Sequence, residues 1–337
     1  MSLTIYDISK KAGVSIATVS RVINGSDKVK ETTRKKIMDI IEEFGYAPNS
    51  FARAMNSKPM KTIGILCADS SDIFLAKAVY YLEQLLQKAG YESLLCCTGY
   101  NPDIRKNYAK LILSKKVDAL ILVGSNFIGS TQEENEYINE CSEQVPVMIL
   151  NASYDHDNVY CIYCDDLNSV YRATTEMLEN GIEDILYFYD SLSYSGRKKL
   201  DGFRMAMQQH HVPDYEKLIL RVPEGKRNTE DMENLLKDFA TVNPFHGVVA
   251  SDDELAIAAV KYGLKNNLKV PDDLSVIGYN NSVLTGFCMP ELTSIDNRLE
   301  TLTKALVKSL IGVLNGRKMP RETVFSGTLV KRKTHRW

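Results

Sequence analysis

The sequence predicts an all-α helix-turn-helix headpiece, followed by an α/β domain of two Rossmann-like lobes. Three observations predict it. The first 45 or so residues hold three short helical patterns. After Lys61 the chain alternates apolar strand and helix patterns in two successive runs. The charge divides at the same place. Residues 1–58 carry ten Lys and Arg against six Asp and Glu, hence +4, and the remaining 279 residues carry -6, although the 337-residue chain sums to only -2. Such asymmetry points to a nucleic-acid or membrane partner for the basic segment.

In the headpiece, Thr4 with Asp7 three residues on has the form of a capping box, which satisfies free N–H groups of a first helix. Gly13 permits a tight break after Lys10-Lys11-Ala12. Ser15 then caps a second helix, Ile16 to Ile23, which Asn24-Gly25 ends. A third helix sets Ile37, Ile40, Ile41 and Phe44 on one stripe and stops at Gly45. From Tyr46 to Met60 the pattern changes: Pro48 breaks the preceding helix, Asn49 can cap, and Ser50–Asn56 suffice for two helical turns. Helices this short are mostly unfolded alone, so the segment reads as a linker that orders on binding.

The first lobe begins with the strand TIGILCA (62–68), a helix over 73–88, the strand ESLLCC and a helix near 103–114. DALILVG (118–124), a helix near 132–142 and PVMILN (146–151) continue it. After VYCIYC come helices near 167–179, 197–210, 229–240 and 253–265, interleaved with DILYFY, KLILRV, GVVAS and LSVIGY. The stretch from Thr293 to Arg332 adds a strand, a helix near 299–314 and a terminal strand. Continuous apolar strands joined by helices mean parallel sheets covered on both faces, with ligands at the carboxyl ends of the strands.

Several classes drop out. No run of 18 apolar residues suggests a membrane span, no secretory signal is recognisable, and seven cysteines fit reduced thiols of a cytoplasmic protein. Cys161 and Cys164 form one CxxC without a second ligand pair, so they read as buried strand residues. No GxGxxG follows the first strand, and no Walker loop, GxSxG or His ligand spacing occurs, so neither enzyme, metal nor cofactor is expected. The carboxylate pairs Asp165-Asp166 and Asp252-Asp253 fall where helices start, and capping explains them. The basic tail KRKTHR (331–336) reads as a solvated terminus.

GVSIATVSRVING (13–25) fits a helix-turn-helix whose second helix enters the major groove of DNA. Spacing alone leaves a small helical bundle with an ordinary polar surface as the alternative. The residues carry more than spacing. YDISKKAGVSIATVSRVING (6–25) and YAPNSFARAM (46–55) resemble the DNA-binding and hinge segments of the LacI/GalR family of bacterial transcriptional repressors. KTIGILCADSSDIF, KKVDALIL, LDGFRMAM, GVVASDDELAIAAV, VPDDLSVIGYNN and PELTSID follow in family order.

The resemblance implies lobes like those of periplasmic binding proteins and a small-molecule effector, a sugar or sugar derivative, in the cleft between them. It implies a homodimer, or a higher oligomer, on double-stranded operator DNA of pseudo-palindromic sequence, with no membrane partner. Ile16, Ala17 and Arg21 would set operator preference, while Tyr6, Ser15, Thr18, Ser20 and Asn24 would serve backbone contacts and register. Asn49, Ala52 and Met55 would belong to a hinge helix in the minor groove, with Met55 at the position where the family inserts a leucine between base steps.

In the cleft the sequence departs from the family pattern. Lys199 stands where an Arg is usual, and Arg197 is a weak substitute two residues earlier. Asp252 replaces an Asn, while Asn280 and Asn151 each replace an Asp. Asp72-Ile73-Phe74-Leu75 replaces Asn-Pro-Phe-Phe, keeping Phe74 as a stacking face, and Asn297 stands for Gln. Asp72, Phe74, Asn151, Arg197, Lys199, Asp252, Asn280 and Asn297 are therefore the expected effector residues, although each also suits a helix cap or loop. The expected divisions are 1–46 for the headpiece, 47–60 for hinge and linker, 61–163 with 294–324 for the N-terminal lobe, and 164–293 with 325–337 for the C-terminal lobe. A periplasmic-type binding protein and a regulator controlled by a partner protein are the competing readings.

Overall fold

The computed structural model describes residues 5–23, 28–44 and 60–336, and the chain divides into two compact units at Met60/Lys61. In the first unit α1 (Ile5–Ala12), α2 (Ile16–Ile23) and α3 (Glu31–Glu43) enclose a small core of Ile8, Ala12, Val19, Val22 and Ile37. Gly13, at φ +68°, makes the turn between α1 and α2, a conformation that glycine adopts without steric cost. Ser15 caps α2 as expected, its Oγ accepting from Thr18 N at 3.2 Å. The α3 stripe is graded. Ile37 is fully buried and Ile40 and Ile41 half-buried, but Phe44 is exposed, with Lys11 Nζ 4.1 Å from its ring centroid. Thr4, Asn24-Gly25 and the whole hinge expectation lie outside the described residues.

The second unit holds two six-stranded sheets. Its first run comprises β1 (Thr62–Cys67), α4 (Ile73–Lys88), β2 (Glu92–Cys97), α5 (Pro102–Ser114), β3 (Ala119–Val123), α6 (Gln132–Ser142), β4 (Val147–Leu150) and β5 (Val159–Cys164). The second comprises α7 (Asp166–Glu179), β6 (Ile185–Tyr189), α8 (Tyr194–Gln209), β7 (Ile219–Arg221), α9 (Thr229–Ala240), β8 (Gly247–Ala250), α10 (Asp253–Lys265), β9 (Ser275–Tyr279), α11 (Leu284–Phe287) and β10 (Thr293–Asp296). Then α12 (Leu299–Leu314) and β11 (Glu322–Phe325) return to the first lobe, and β12 (Thr328–Val330) ends in the second. The strand orders are β11-β5-β4-β3-β1-β2 and β12-β10-β9-β8-β6-β7, parallel throughout except for the β10–β12 pair. β3, β4, β6, β8 and β9 are buried at every residue, as parallel strands covered on both faces must be.

The lobe boundaries shift by a few residues from the expected ones. β10 pairs in parallel with β9, so the chain leaves the C-terminal lobe after Asp296 and not at 293/294. Ser294 Oγ, donating to Asp253 Oδ1 at 2.5 Å, anchors it there. β5 likewise keeps Cys164, and β11 keeps Phe325, in the first sheet. Adjacent crossings are tied by Asp165 N donating to Phe325 O at 2.8 Å. Cys161 and Cys164 are buried in β5, and burial pushes their thiols up to about 12 and about 11.

The basic tail is not a solvated terminus. Beyond β12, Thr334 and His335 are 0% and 2% exposed. Thr334 Oγ1 accepts from Thr293 N at 2.9 Å and donates to Val276 O at 2.7 Å, while Val276 N donates to Thr334 O at 2.7 Å. Composition suggested solvent because the flanking Lys331, Lys333 and Arg336 are charged. The sheet edge takes the Thr-His backbone instead and lets the long cations reach outward. Burial, then the charges of Arg336 and Lys331, push the His335 imidazole down to about 4. The imidazole is thus neutral in the fold, so its contribution is fully present above pH 6.5 and is lost as pH falls through about 4. The loss amounts to about 3 kcal/mol. Urea titrations at pH 7 and pH 4.5 should show a smaller acid loss in His335→Phe than in the parent. Equal losses would refute this account.

Candidate functional site

On the headpiece, α2 turns Val19 and Val22 into the core, and this orientation leaves Ser15, Ile16, Ala17 and Arg21 exposed. Thr18 and Ser20 lie at the margin, half-buried, and Ser15 Oγ and Thr18 Oγ1 are 2.9 Å apart. Tyr6 on α1 is exposed as well. The N-terminal turn of α2 therefore offers short hydroxyls and small apolar groups, with a guanidinium further along. That combination suits phosphate contact and base-edge contact together. Asn24, Asn49, Ala52 and Met55 lie outside the described residues.

In the second unit a cavity of about 470 Å³ opens where the carboxyl ends of both sheets face each other. Its walls follow from the topology. Asp69 comes after β1, Asn151 after β4, Asp190 after β6, Arg227 in the loop after β7, Asp252 after β8 and Asn280 after β9. Of the eight expected residues, Asp72, Phe74, Asn151, Lys199, Asp252 and Asn280 line the cavity. Asp72 and Asp252 are also helix caps, accepting from Leu75 N at 2.8 Å and Leu255 N at 2.9 Å. Capping uses one carboxylate oxygen of each and leaves both residues on the cavity wall.

Two expected residues are not on the wall. Arg197 Nη1 donates to Leu192 O at 2.7 Å. α8 starts at Tyr194, so Ser195 and Lys199, four apart, share the cleft face while Arg197 points elsewhere. Asn297, 1% exposed, stands behind the wall and donates from Nδ2 to Asn280 Oδ1 at 2.9 Å. It orients Asn280, whose backbone at φ +95° is in the left-handed region.

Lys199 is buried, with Nζ donating to Ser251 O at 2.8 Å and lying 3.7 Å from the Tyr279 ring centroid. Asp166, close by, accepts from Ser195 Oγ at 2.5 Å and from the Tyr279 hydroxyl. Sequence reasoning missed the feature that dominates the opposite wall. Arg227 meets Asp190 at 2.8 Å, Asp252 at 2.5 Å and Glu254 at 3.0 Å. Burial and the carboxylates of Asp190 and Glu254 push Asp252 up to about 7 against the pull of Arg227. Burial pushes Asp253 up to about 6, although it accepts from Ser294 Oγ and Ser282 N. Asp190 was findable as the residue directly after a parallel strand. Arg227 was not, because the Val222–Asn228 loop carries no pattern. The lobes touch across the cleft where Ser125 Oγ donates to Ser193 Oγ at 2.9 Å.

The comparisons bear on both units. Residues 4–49 match the model for bacterial regulatory proteins of the lacI family, and residues 174–335 match the periplasmic binding protein-like domain. An HTH-type transcriptional regulator of Lachnoclostridium phytofermentans is 48% identical, covering 98% of this chain and 99% of that protein. The chain belongs to the LacI family of bacterial regulatory proteins. As a LacI-family protein it is a DNA-binding transcriptional regulator, which sets aside the reading as a periplasmic-type binding protein. The HTH-type transcriptional regulator DegA of Bacillus subtilis is 32% identical over 88% of this chain and 86% of its own length. Among solved structures, a lac repressor dimer bound to operator and the anti-inducer ONPF superposes with a TM-score of 0.85 at 21% identity, covering 99% of each chain. A CelR–cellobiose complex gives 0.71 at 22% identity, covering 98% of this chain and 99% of that one. Among the described residues no helix is long and apolar enough to cross a membrane.

Proposed function

We propose that this LacI-family chain is a cytoplasmic repressor that binds a pseudo-palindromic operator as a homodimer, releases or tightens on a sugar effector held in the cleft, and performs no catalysis. The observation that carries the reading is the division of α2, apolar side inward and Ser15, Ile16, Ala17 and Arg21 outward, on a tethered basic unit. In this reading those four residues with Tyr6, Thr18, Ser20 and Asn24 meet the major groove. Asn49, Ala52 and Met55 meet the minor groove at the operator centre. The cleft supports a sugar because Phe74 and Tyr100 offer ring faces beside carboxylates and amides, and CelR is solved with cellobiose. A ligand that prefers one lobe arrangement shifts the DNA-binding population by its difference in affinity between the two states.

The test is fluorescence anisotropy on a family-type palindrome and its scramble across a salt series. Specific binding that falls steeply with salt is expected. Equal binding to the scramble would sink the operator assignment. Met55→Gly should lower specific affinity without changing the melting of the second unit.

The dimer is supported by three exposed apolar side chains close together in the sequence of the C-terminal lobe, Val283, Phe287 and Met289, which are 67%, 82% and 79% exposed. Large apolar side chains left exposed near one another suit an association surface. Phe287→Asp combined with Met289→Asp should shift sedimentation velocity from dimer to monomer at micromolar concentration and weaken operator binding at least tenfold. A double variant that stays dimeric would place the interface elsewhere.

A further inference from the structure

The wall chemistry of the cleft narrows its ligand, on the reading above that this ligand is a sugar. Seven of the residues facing the cavity are acidic and three basic. Each of the three cations is already engaged. Lys199 Nζ is held by Ser251 O and the Tyr279 ring, Arg221 Nε donates to Asp190 O at 3.1 Å, and Arg227 is shared among Asp190, Asp252 and Glu254. A phosphate or carboxylate would have to displace a carboxylate to reach Arg227, and at Lys199 or Arg221, whose partners are backbone carbonyls, it would still stand among the seven acidic side chains of the wall.

A second observation concerns donors and acceptors. An ionised carboxylate only accepts, and seven acidic side chains face the cavity, so this wall asks its ligand mainly for donors. Ionised phosphate or carboxylate oxygens bring none. Sugar hydroxyls and ammonium groups do.

We propose that the effector is a polyhydroxy compound carrying neither phosphate nor carboxylate, and that its hydroxyls donate to the Asp190 and Asp252 carboxylates. Arg227 is the residue that positions those two carboxylates. It serves as their counter-ion and does not act as an anion receptor.

The experiment uses the full chain with calorimetry on matched sets of neutral mono- and disaccharides, their phosphate esters, the corresponding uronic acids and the amino sugars. A neutral or amino sugar should bind, with its phosphate ester and uronic acid weaker by about 10- to 100-fold, the scale of one uncompensated like-charge contact in a partly screened site. In the Asp190→Asn/Asp252→Asn double variant, which keeps a good cap at 252, that discrimination should shrink at least about tenfold as Arg227 is released. An ester or uronic acid that binds as tightly as its neutral parent overturns the inference and leaves the sugar reading standing. If no sugar of any class binds, the sugar reading falls and takes this inference with it. A double variant that binds sugar but still excludes anions as the parent does would overturn the role given to Arg227.

Discussion

Gly202→Ala should destabilise the C-terminal lobe by about 2–4 kcal/mol, one of the largest effects expected of any single methyl in this chain. Gly202 lies in α8 where that helix crosses α7, and a β-carbon there would stand 2.2 Å from Leu167 O, 3.0 Å from Leu167 C and 3.1 Å from Tyr171 N. All three atoms are backbone, so no rotamer change relieves the overlap and the two helices must separate. Separation loosens the core that α7 and α8 share through Val170, Ala173, Phe203 and Ala206, all at most 1% exposed. Alanine's better helix propensity offsets only about 1 kcal/mol of that cost. The same movement displaces Lys199, three residues earlier on α8, from Ser251 O, so ligand affinity should fall with stability. Gly286→Ala is the control, since a β-carbon there meets nothing within 4 Å. Urea denaturation measures both, and a Gly202→Ala chain as stable as the parent would show that α7 and α8 are not in backbone contact.

Arg21→Ala should lower specific operator affinity by about 10²- to 10⁴-fold while leaving the melting transition in place. The side chain is exposed at the end of α2, outside the core of Ile8, Ala12, Val19, Val22 and Ile37, so its loss removes little from the fold. A bidentate arginine–guanine contact discriminates by about 1–3 kcal/mol, and a dimer on a palindrome makes it twice. Non-specific binding should drop only slightly, by about one phosphate's worth of salt dependence. Arg21→Lys separates the two modes: it restores charge but not the planar fork, so it should rescue non-specific binding and not specificity. Anisotropy on operator and scramble reads both. Unchanged specific affinity in Arg21→Ala would move base recognition to other residues of α2.

The parts of the fold legible in the sequence were those set by local pattern. The Gly13 turn, the Ser15 cap and the apolar runs of β1, β3, β4, β6, β8 and β9 all carry their conformation in neighbouring residues. The expected strand ends also located much of the cleft, because a parallel sheet delivers its loop residues to one edge. Asp72, Asn151, Asp252 and Asn280 were marked by their match to positions of the family pattern, and that geometry is why they come together on the cavity wall. Arg197 and Asn297 could not be sorted from them, since the side a residue faces depends on where α8 starts and on what stands behind Asn280. The tail failed for a different reason. Charge density suggested solvent, but Thr334 is fixed by Thr293 and Val276, roughly 40 and 60 positions away in the chain.

The division seen in the charge arithmetic, a +4 headpiece on a -6 remainder, was the sequence's own statement about this protein. With the short-range motifs, and the resemblance to the LacI/GalR family that they carry, it pointed to a DNA-binding unit and a two-lobed α/β unit. Only the tertiary structure decided that Arg227 gathers Asp190, Asp252 and Glu254, that Lys199 is held by Ser251 O, and that the cavity wall is acidic with its cations engaged. Helix and strand signals repeat every two to four residues and can be read locally. An ion cluster joins loops from separate strands, and its balance of charge exists only once the sheet has brought them to one edge.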